Sequence, residues 1–260
     1  MISIKSAREV DLMREAGAIV AEAIEEVERL VAPGVATIEI DSAVEKLIRR
    51  RGGVPAFKGY RGFKGSICAS VNEEVVHGIP GPRSLREGDV FKLDVGVQYH
   101  GYFADSARTF GVGAVSSTAL KLMDTCREAL ERGIAQVRPG ARLRVVSTAI
   151  EQYVRSRGYA VVEKYVGHGI GRELHEPPQV PNFFRQDMFD YDVTLRSGMT
   201  IAIEPMVNEG TPDVEQLNDG WTVVTKDRKL STHFEHTVLV TADGAEILTV
   251  RRQKGAPAAS

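Results

Sequence analysis

From Val10 to Val27 apolar residues recur at helical spacing (Val10, Met13, Val20, Ile24 and Val27, with Gly17 on the same stripe), which predicts a long amphipathic helix. Ser6-Ala7-Arg8-Glu9 has the form of a capping box at its start, and Pro33-Gly34 must end it. The same spacing returns from about Thr37 to Gly52-Gly53, from about Ser116 to Val137 before Pro139-Gly140, and from about Leu143 to Arg157 before Gly158. Four helices are therefore expected. Between the second and third, the glycine- and aromatic-rich stretch Val54 to Ile67 suits neither helix nor strand and reads as a mobile loop wall. Residues 66–82, SICASVNEEVVHGIPGP, read as a strand, a turn and a closing Gly-Pro cluster.

The pattern changes to period two at Val90. Phe91, Leu93, Val95 and Val97 fall on one face of a strand and Lys92, Asp94 and Gly96 on the other. Tyr102 to Phe110 reads as its partner, and Gln98 to Gly101 has the length and the glycine of a four-residue hairpin loop. Pairing Val97 with Tyr102 sets Asp94 directly opposite Asp105. Opposed like charges destabilise a sheet, so something positive is expected between them: a shared proton, an Arg or Lys, or a metal cation.

The two helix pairs resemble each other. Without gaps, Val31–Gly52 and Val137–Gly158 are identical at eight of twenty-two positions, a separation far longer than a solenoid repeat, which suggests two related α/β halves. The likeness extends into the strands. Val76-His77-Gly78-Ile79 is echoed by Gly167-His168-Gly169-Ile170, and EGDVFKLD, ending at Asp94, by RSGMTIAIE, ending at Glu204. By position Glu235 then plays the part of Asp105. Each half would supply one histidine and two strand carboxylates. Four carboxylates in one cleft cannot all stay ionised unaided, whereas two divalent cations would balance them. Oxygen-rich ligation with one or two imidazoles suits Mn, Fe, Co or Zn in a two-metal hydrolytic site.

Other residues read more plainly. His100, His233 and His236 are taken as surface histidines of loops or strands, Cys126, Met13 and Met123 as helix core, and Arg49-Arg50-Arg51 as a solvated helix end. A composition of 43% hydrophobic and 26% charged residues is that of an ordinary globular protein, and a net charge of −2 gives no general attraction to DNA or to an anionic membrane. The first residues lack the apolar core of a signal peptide, no run of about 18 apolar residues occurs, and Cys68 and Cys126 are isolated. A cytoplasmic protein in a reducing compartment is expected.

Together the motifs NEEVVHGIP, KLDVGV with GYFADSARTF, VGHGIGRELHEPP, IAIEPMV and DGWTVVTKDRKLSTHFEHTVLV are specific. Through them the chain resembles the type I methionine aminopeptidases, from about Ile4 to Val250. The resemblance implies an α+β pita-bread (creatinase/aminopeptidase-like) fold, with two pseudo-symmetric α/β halves, about 5–110 and 111–250, around an antiparallel sheet. Residues 1–250 would then be one catalytic domain and 251–260 a flexible tail. It also implies removal of N-terminal methionine before a small second residue, at two divalent ions (Co, Mn, Fe or Zn).

The resemblance implies Asp94, Asp105, His168, Glu204 and Glu235 as metal ligands, with Glu204 also the general base. It implies His77 and His175 as catalytic histidines in contact with substrate, and Tyr60, Phe63, Cys68 and Trp221 as walls of the methionine pocket. Nascent polypeptide N-termini are the implied partners, with the ribosome near its exit tunnel, and a monomer is the implied state. The chain departs from the family at Arg61, where bacterial relatives often have a histidine, at Leu174, where an aromatic residue is common, and in a slightly enlarged Pro181–Asp192 segment. Two other readings exist: a proline-specific peptidase of the same fold (prolidase or aminopeptidase P), which usually has a further N-terminal domain, and an inactive pita-bread binding module, which typically lacks ligands present here.

Overall fold

The computed structural model describes residues 2–185 and 192–250, so part of the Pro181–Asp192 segment and the whole 251–260 tail lie outside the described residues. The four expected helices form: α1 Ala7–Leu30, α2 Thr37–Arg50, α3 Ser117–Ile134 and α4 Leu143–Ser156. At the start of α1 the Glu9 carboxylate accepts hydrogen bonds from the Ser6 backbone N–H and hydroxyl, both at 2.8 Å, which satisfies a donor the helix leaves unpaired.

Every strand pairing among the described residues is antiparallel. In one sheet the Val90–Tyr99 strand is flanked by Ile67–Val71, Tyr102–Gly111 and the short Val54–Pro55. A second has the order Ala245–Ile247, His236–Val240, Thr200–Ile203, Gly167–Gly169, Glu176–Val180. Two three-stranded sheets complete the fold. One contains Ser231–His233, and in the other Glu74–Val76 carries the chain to His77.

Helices cover one side of each large sheet. Ile19, Val20 and Ile24 of α1 and Ile40, Val44 and Ile48 of α2 pack on Phe91, Leu93, Val95 and Val97, the apolar face read from the alternation. Leu122, Cys126 and Leu130 of α3 and Val146 and Ile150 of α4 pack in the same way on Ile201, Ile203 and Val238. The turns leading into α2 and α4 repeat one hydrogen-bond pattern. Gly34 N–H donates to Leu85 O at 2.8 Å and Gly140 N–H to Leu195 O at 2.9 Å, while Leu85 and Leu195 N–H return bonds to Val35 O and Ala141 O, both 2.8 Å. On the other side of the second sheet Leu239 packs with Ile170, Tyr102 and, from α1, Val10 and Met13.

The central hairpin differs in register from the expectation. Tyr99 pairs with Tyr102, so the turn is the two-residue His100-Gly101, with φ of 47° and 85°. Such a turn matches the right-handed twist of the strands and lets pairing run two residues further than a four-residue loop would. Asp94 therefore sits opposite Ala107, and Asp105 opposite Gly96. The two carboxylates still share a face but lie on a diagonal. Gly96 has a packing reason as well: a Cβ there would fall 2.7 Å from the Phe57 ring. The Val54–Ile67 stretch is not wholly irregular either, since Val54–Pro55 pairs with Gln98 and Val97, Ala56 N–H donates to Gly96 O at 2.9 Å, and Tyr60–Gly62 forms a 3-10 turn.

Candidate metal centre

The polar faces of the two large sheets meet at Asp105. Glu235 N–H donates to Ala107 O at 2.9 Å, and the Thr237 hydroxyl donates to Asp105 Oδ1 at 3.0 Å, so the hairpin is stitched to the strand that follows Glu235. His168, on the Gly167–Gly169 strand, lies between carboxylates: its Nε2 is 3.4 Å from Asp105 Oδ2 and 3.5 Å from Glu204 Oε1. Its Nδ1 is 2.9 Å from Gly169 O, an acceptor only, so the Nδ1 proton is fixed there and Nε2 faces the cluster. Ligand atoms of Asp105, His168 and Glu235 all lie within 4.8 Å of one another. Asp94 and Glu204 line the same cavity.

This donor set fits a divalent cation. Bonds of about 2.0–2.2 Å to one ion require donor atoms about this close together. Asp94 Oδ1 is buried without a hydrogen-bond partner among the described residues, an orphan acceptor on a side chain that lines the same cavity. Burial first, then the neighbouring Asp105, pushes the Asp94 carboxyl up to about 8. Burial likewise raises Glu204 to about 8, against the opposing effect of His168, and it takes Glu235 well above its ordinary value with help from Asp105 and Glu204. Burial opposes a charge on His168, yet Asp105 and Glu204 overcome it and move its pKa up to about 9. On protein groups alone, protons must neutralise this cluster. A divalent cation would do the same work electrostatically.

The cavity beside the cluster has a volume of about 170 Å3 and contains all eleven residues singled out in the sequence: Asp94, Asp105, His168, Glu204, Glu235, His77, His175, Tyr60, Phe63, Cys68 and Trp221. Phe57, Arg61 and Leu174 complete its lining. Phe63 and Trp221 meet edge-on, with ring centroids 5.0 Å apart, and form an apolar corner with buried Cys68. Arg61 is exposed at the rim, its guanidinium 5.3 Å from the centre of the Tyr60 ring. His77 adopts a left-handed φ of 61° and stands edge-on to Tyr165 at 5.5 Å, and burial lowers its pKa to about 4. His175 stacks on Tyr60 at 5.4 Å, with the Tyr60 hydroxyl 3.0 Å from its Nδ1. Partial desolvation and then His168 lower His175 to about 4. Both histidines are neutral at neutral pH. When the Tyr60 hydroxyl donates to Nδ1, the His175 proton resides on Nε2.

Two histidines read as surface residues belong inside. His233 is 2% exposed, with its Nε2 3.9 Å from Glu204 Oε2 and without a hydrogen-bond partner among the described residues. Burial lowers its pKa to about 3. His236 is half-buried, its Nδ1 2.8 Å from Thr249 Oγ1. Alternation about Glu235 carried the signal for His233, since residues two apart on a strand share a face. His100 is exposed in the hairpin turn as expected, and Cys126 and Met13 are core.

Known proteins resemble the chain over nearly its whole length. The chain is 48% identical over 249 residues to methionine aminopeptidase 1 of Bacillus subtilis, covering 96% of this chain and 99% of that protein. The crystal structure of methionine aminopeptidase from Thermotoga maritima superposes with a TM-score of 0.93 at 46% identity, covering 96% of this chain and all of that one. A prolidase from Pyrococcus horikoshii shares the fold, with a TM-score of 0.75 at 22% identity, and this chain spans 64% of its length. The model of metallopeptidase family M24 matches residues 11–242, and with relatives this similar over nearly their whole length the chain belongs to that family.

Proposed function

We propose that this chain hydrolyses the peptide bond after an N-terminal methionine when the second residue is small. Two divalent ions would be held by Asp94, Asp105, His168, Glu204 and Glu235, within one catalytic domain of residues 1–250. The observation that carries the proposal is the contact between a buried carboxylate–imidazole cluster and an apolar corner inside one cavity. When bound, the cations supply an acidified water at neutral pH and a Lewis acid for the carbonyl oxygen.

The protein groups have separate tasks. The Glu204 carboxylate takes the proton of the attacking water and carries it toward the departing amine. The His175 Nε2–H donates to the carbonyl oxygen as that oxygen becomes negative, and a Tyr60 hydroxyl that donates to Nδ1 keeps the proton of the neutral ring on Nε2 for this role. His77, neutral and held edge-on by Tyr165, contacts the peptide nitrogen. Phe63, Trp221, Tyr60 and Cys68 exclude water around the thioether, and their aromatic edges and sulfur suit it.

The substrates would be nascent polypeptide N-termini near the ribosomal exit tunnel in the cytoplasm, with the enzyme acting as a monomer. Nothing in the cavity favours the proline-specific reading, and the prolidase likeness supports only the shared fold. The test compares free amino acid released from Met-Ala-Ser with that from an Ala-Pro dipeptide. Methionine release alone is expected; faster cleavage of Ala-Pro would overturn the assignment.

A further inference from the structure

Lys92 lies on the Asp94 face of the hairpin, and it is 2% exposed. Its Nζ donates to Asn72 O at 2.7 Å and Ser231 O at 3.0 Å, and Val90 O is 3.5 Å away. All three acceptors are main-chain carbonyls. Burying an amine costs free energy unless acceptors replace its water, and here those acceptors belong to three separate stretches of backbone. Asn72 is a turn residue with a left-handed φ of 56°. Its side chain is fixed by Asp89 Oδ1 at 2.9 Å and by the Val90 N–H at 2.8 Å. From this turn the Glu74–Val76 strand leads directly to His77. Ser231 opens the strand that runs through His233 toward Glu235.

We propose that Lys92 is a positioning residue: its amine ties the Asn72 turn and the start of the Ser231 strand to the strand bearing Asp94, and so sets where His77, at the end of the strand leaving that turn, stands over the cavity. The inference rests on the hydrolytic reading above. Lys92 touches none of the reacting atoms; it acts through backbone on both sides of the cavity. Small displacements of groups in a site of this kind cost rate rather than ground-state binding.

Lys92→Met keeps the length of the side chain and removes its donors. Its kcat for Met-Ala-Ser is expected to fall about 10- to 100-fold, with KM and bound metal staying within about twofold of the parent. In Lys92→Ala the space left by the missing stem should admit ammonium, so ammonium chloride should raise kcat several-fold. Tetramethylammonium chloride at the same ionic strength, too bulky for the space, should not.

A Lys92→Met protein with parental kcat overturns the inference, as does a loss of kcat matched by an equal loss of metal. Should Lys92→Met fail to fold, Lys92→Gln decides, because its amide N–H retains a donor: kcat near the parent supports the inference, and kcat no higher than in Lys92→Ala overturns it. A parent that releases no methionine overturns the hydrolytic reading and this inference with it. A competent parent beside an indifferent Lys92→Met overturns the inference alone.

Discussion

At the scale of single residues Asp105 is the joint of the cluster: it touches both sheets and lies 3.4 Å from His168. Asp105→Asn keeps the shape and the Thr237 contact but removes a charge that a bound cation would need. The variant should bind at least one fewer divalent ion and lose most methionine release, with its thermal unfolding little changed; metal analysis beside turnover measures this, and near-normal turnover would exclude Asp105 as a ligand. His175 should behave differently. Its replacement by Ala is expected to lower kcat about 10²–10³-fold, the usual cost of one oxyanion donor, with bound metal unchanged. Loss of metal would instead make it a ligand. That four strand carboxylates and His168 would gather in one cleft was legible because a duplicated pattern set them in corresponding positions; which of them would hold a metal came only from the family resemblance. The exact facing of Asp94 and Asp105 was not, since a one-sided shift in turn length moves every pair and period two cannot tell a directly opposed pair from a diagonal one. His233 was missed although alternation set it on the Glu235 face, because a lone histidine at a strand end adds no period of its own.

At the scale of elements, α1 holds the first half against the far end of the chain. Gly17 sits where a Cβ would meet Leu248 O at 2.1 Å. Gly17→Ala gains about 1 kcal/mol of helix propensity, yet the clash is with backbone that cannot rotate away. A net fall in the urea midpoint is expected; a rise would mean that the Leu248 segment yields easily. The cap of α1 gives a pH signature. Hydrogen bonds from the Ser6 backbone N–H and then the Tyr102 hydroxyl lower the Glu9 pKa from 4.5 to about 2. A lowered carboxylate contributes stability above its unfolded value, and that contribution is lost as pH falls through the folded one. Glu9→Gln should therefore be less stable than the parent near neutrality, and the difference should close between 4.5 and about 2. A difference constant across that range would contradict the cap's role. Helix boundaries were readable from caps and Pro-Gly stops. The short Val54–Pro55 strand was not, because two residues carry no period and only pairing with Gln98 and Val97 creates it.

At the scale of the whole molecule, two helix-covered sheets come together, and the carboxylate–imidazole cluster forms where they meet. Sequence periodicity showed which faces were apolar; it could not show that the remaining faces converge, which depends on long-range contacts such as Glu235 N–H to Ala107 O. It also left Lys92 as one more polar strand residue, although the fold buries it between three segments of backbone. Metal dependence and second-residue selectivity are read together in methionine release from Met-Ala-Ser and Met-Leu-Ser by chelator-treated protein before and after addition of Mn2+ or Co2+. No release is expected before addition, release from Met-Ala-Ser after it, and little from Met-Leu-Ser. Release that ignores the chelator, or equal cleavage of both peptides, would contradict the proposed function.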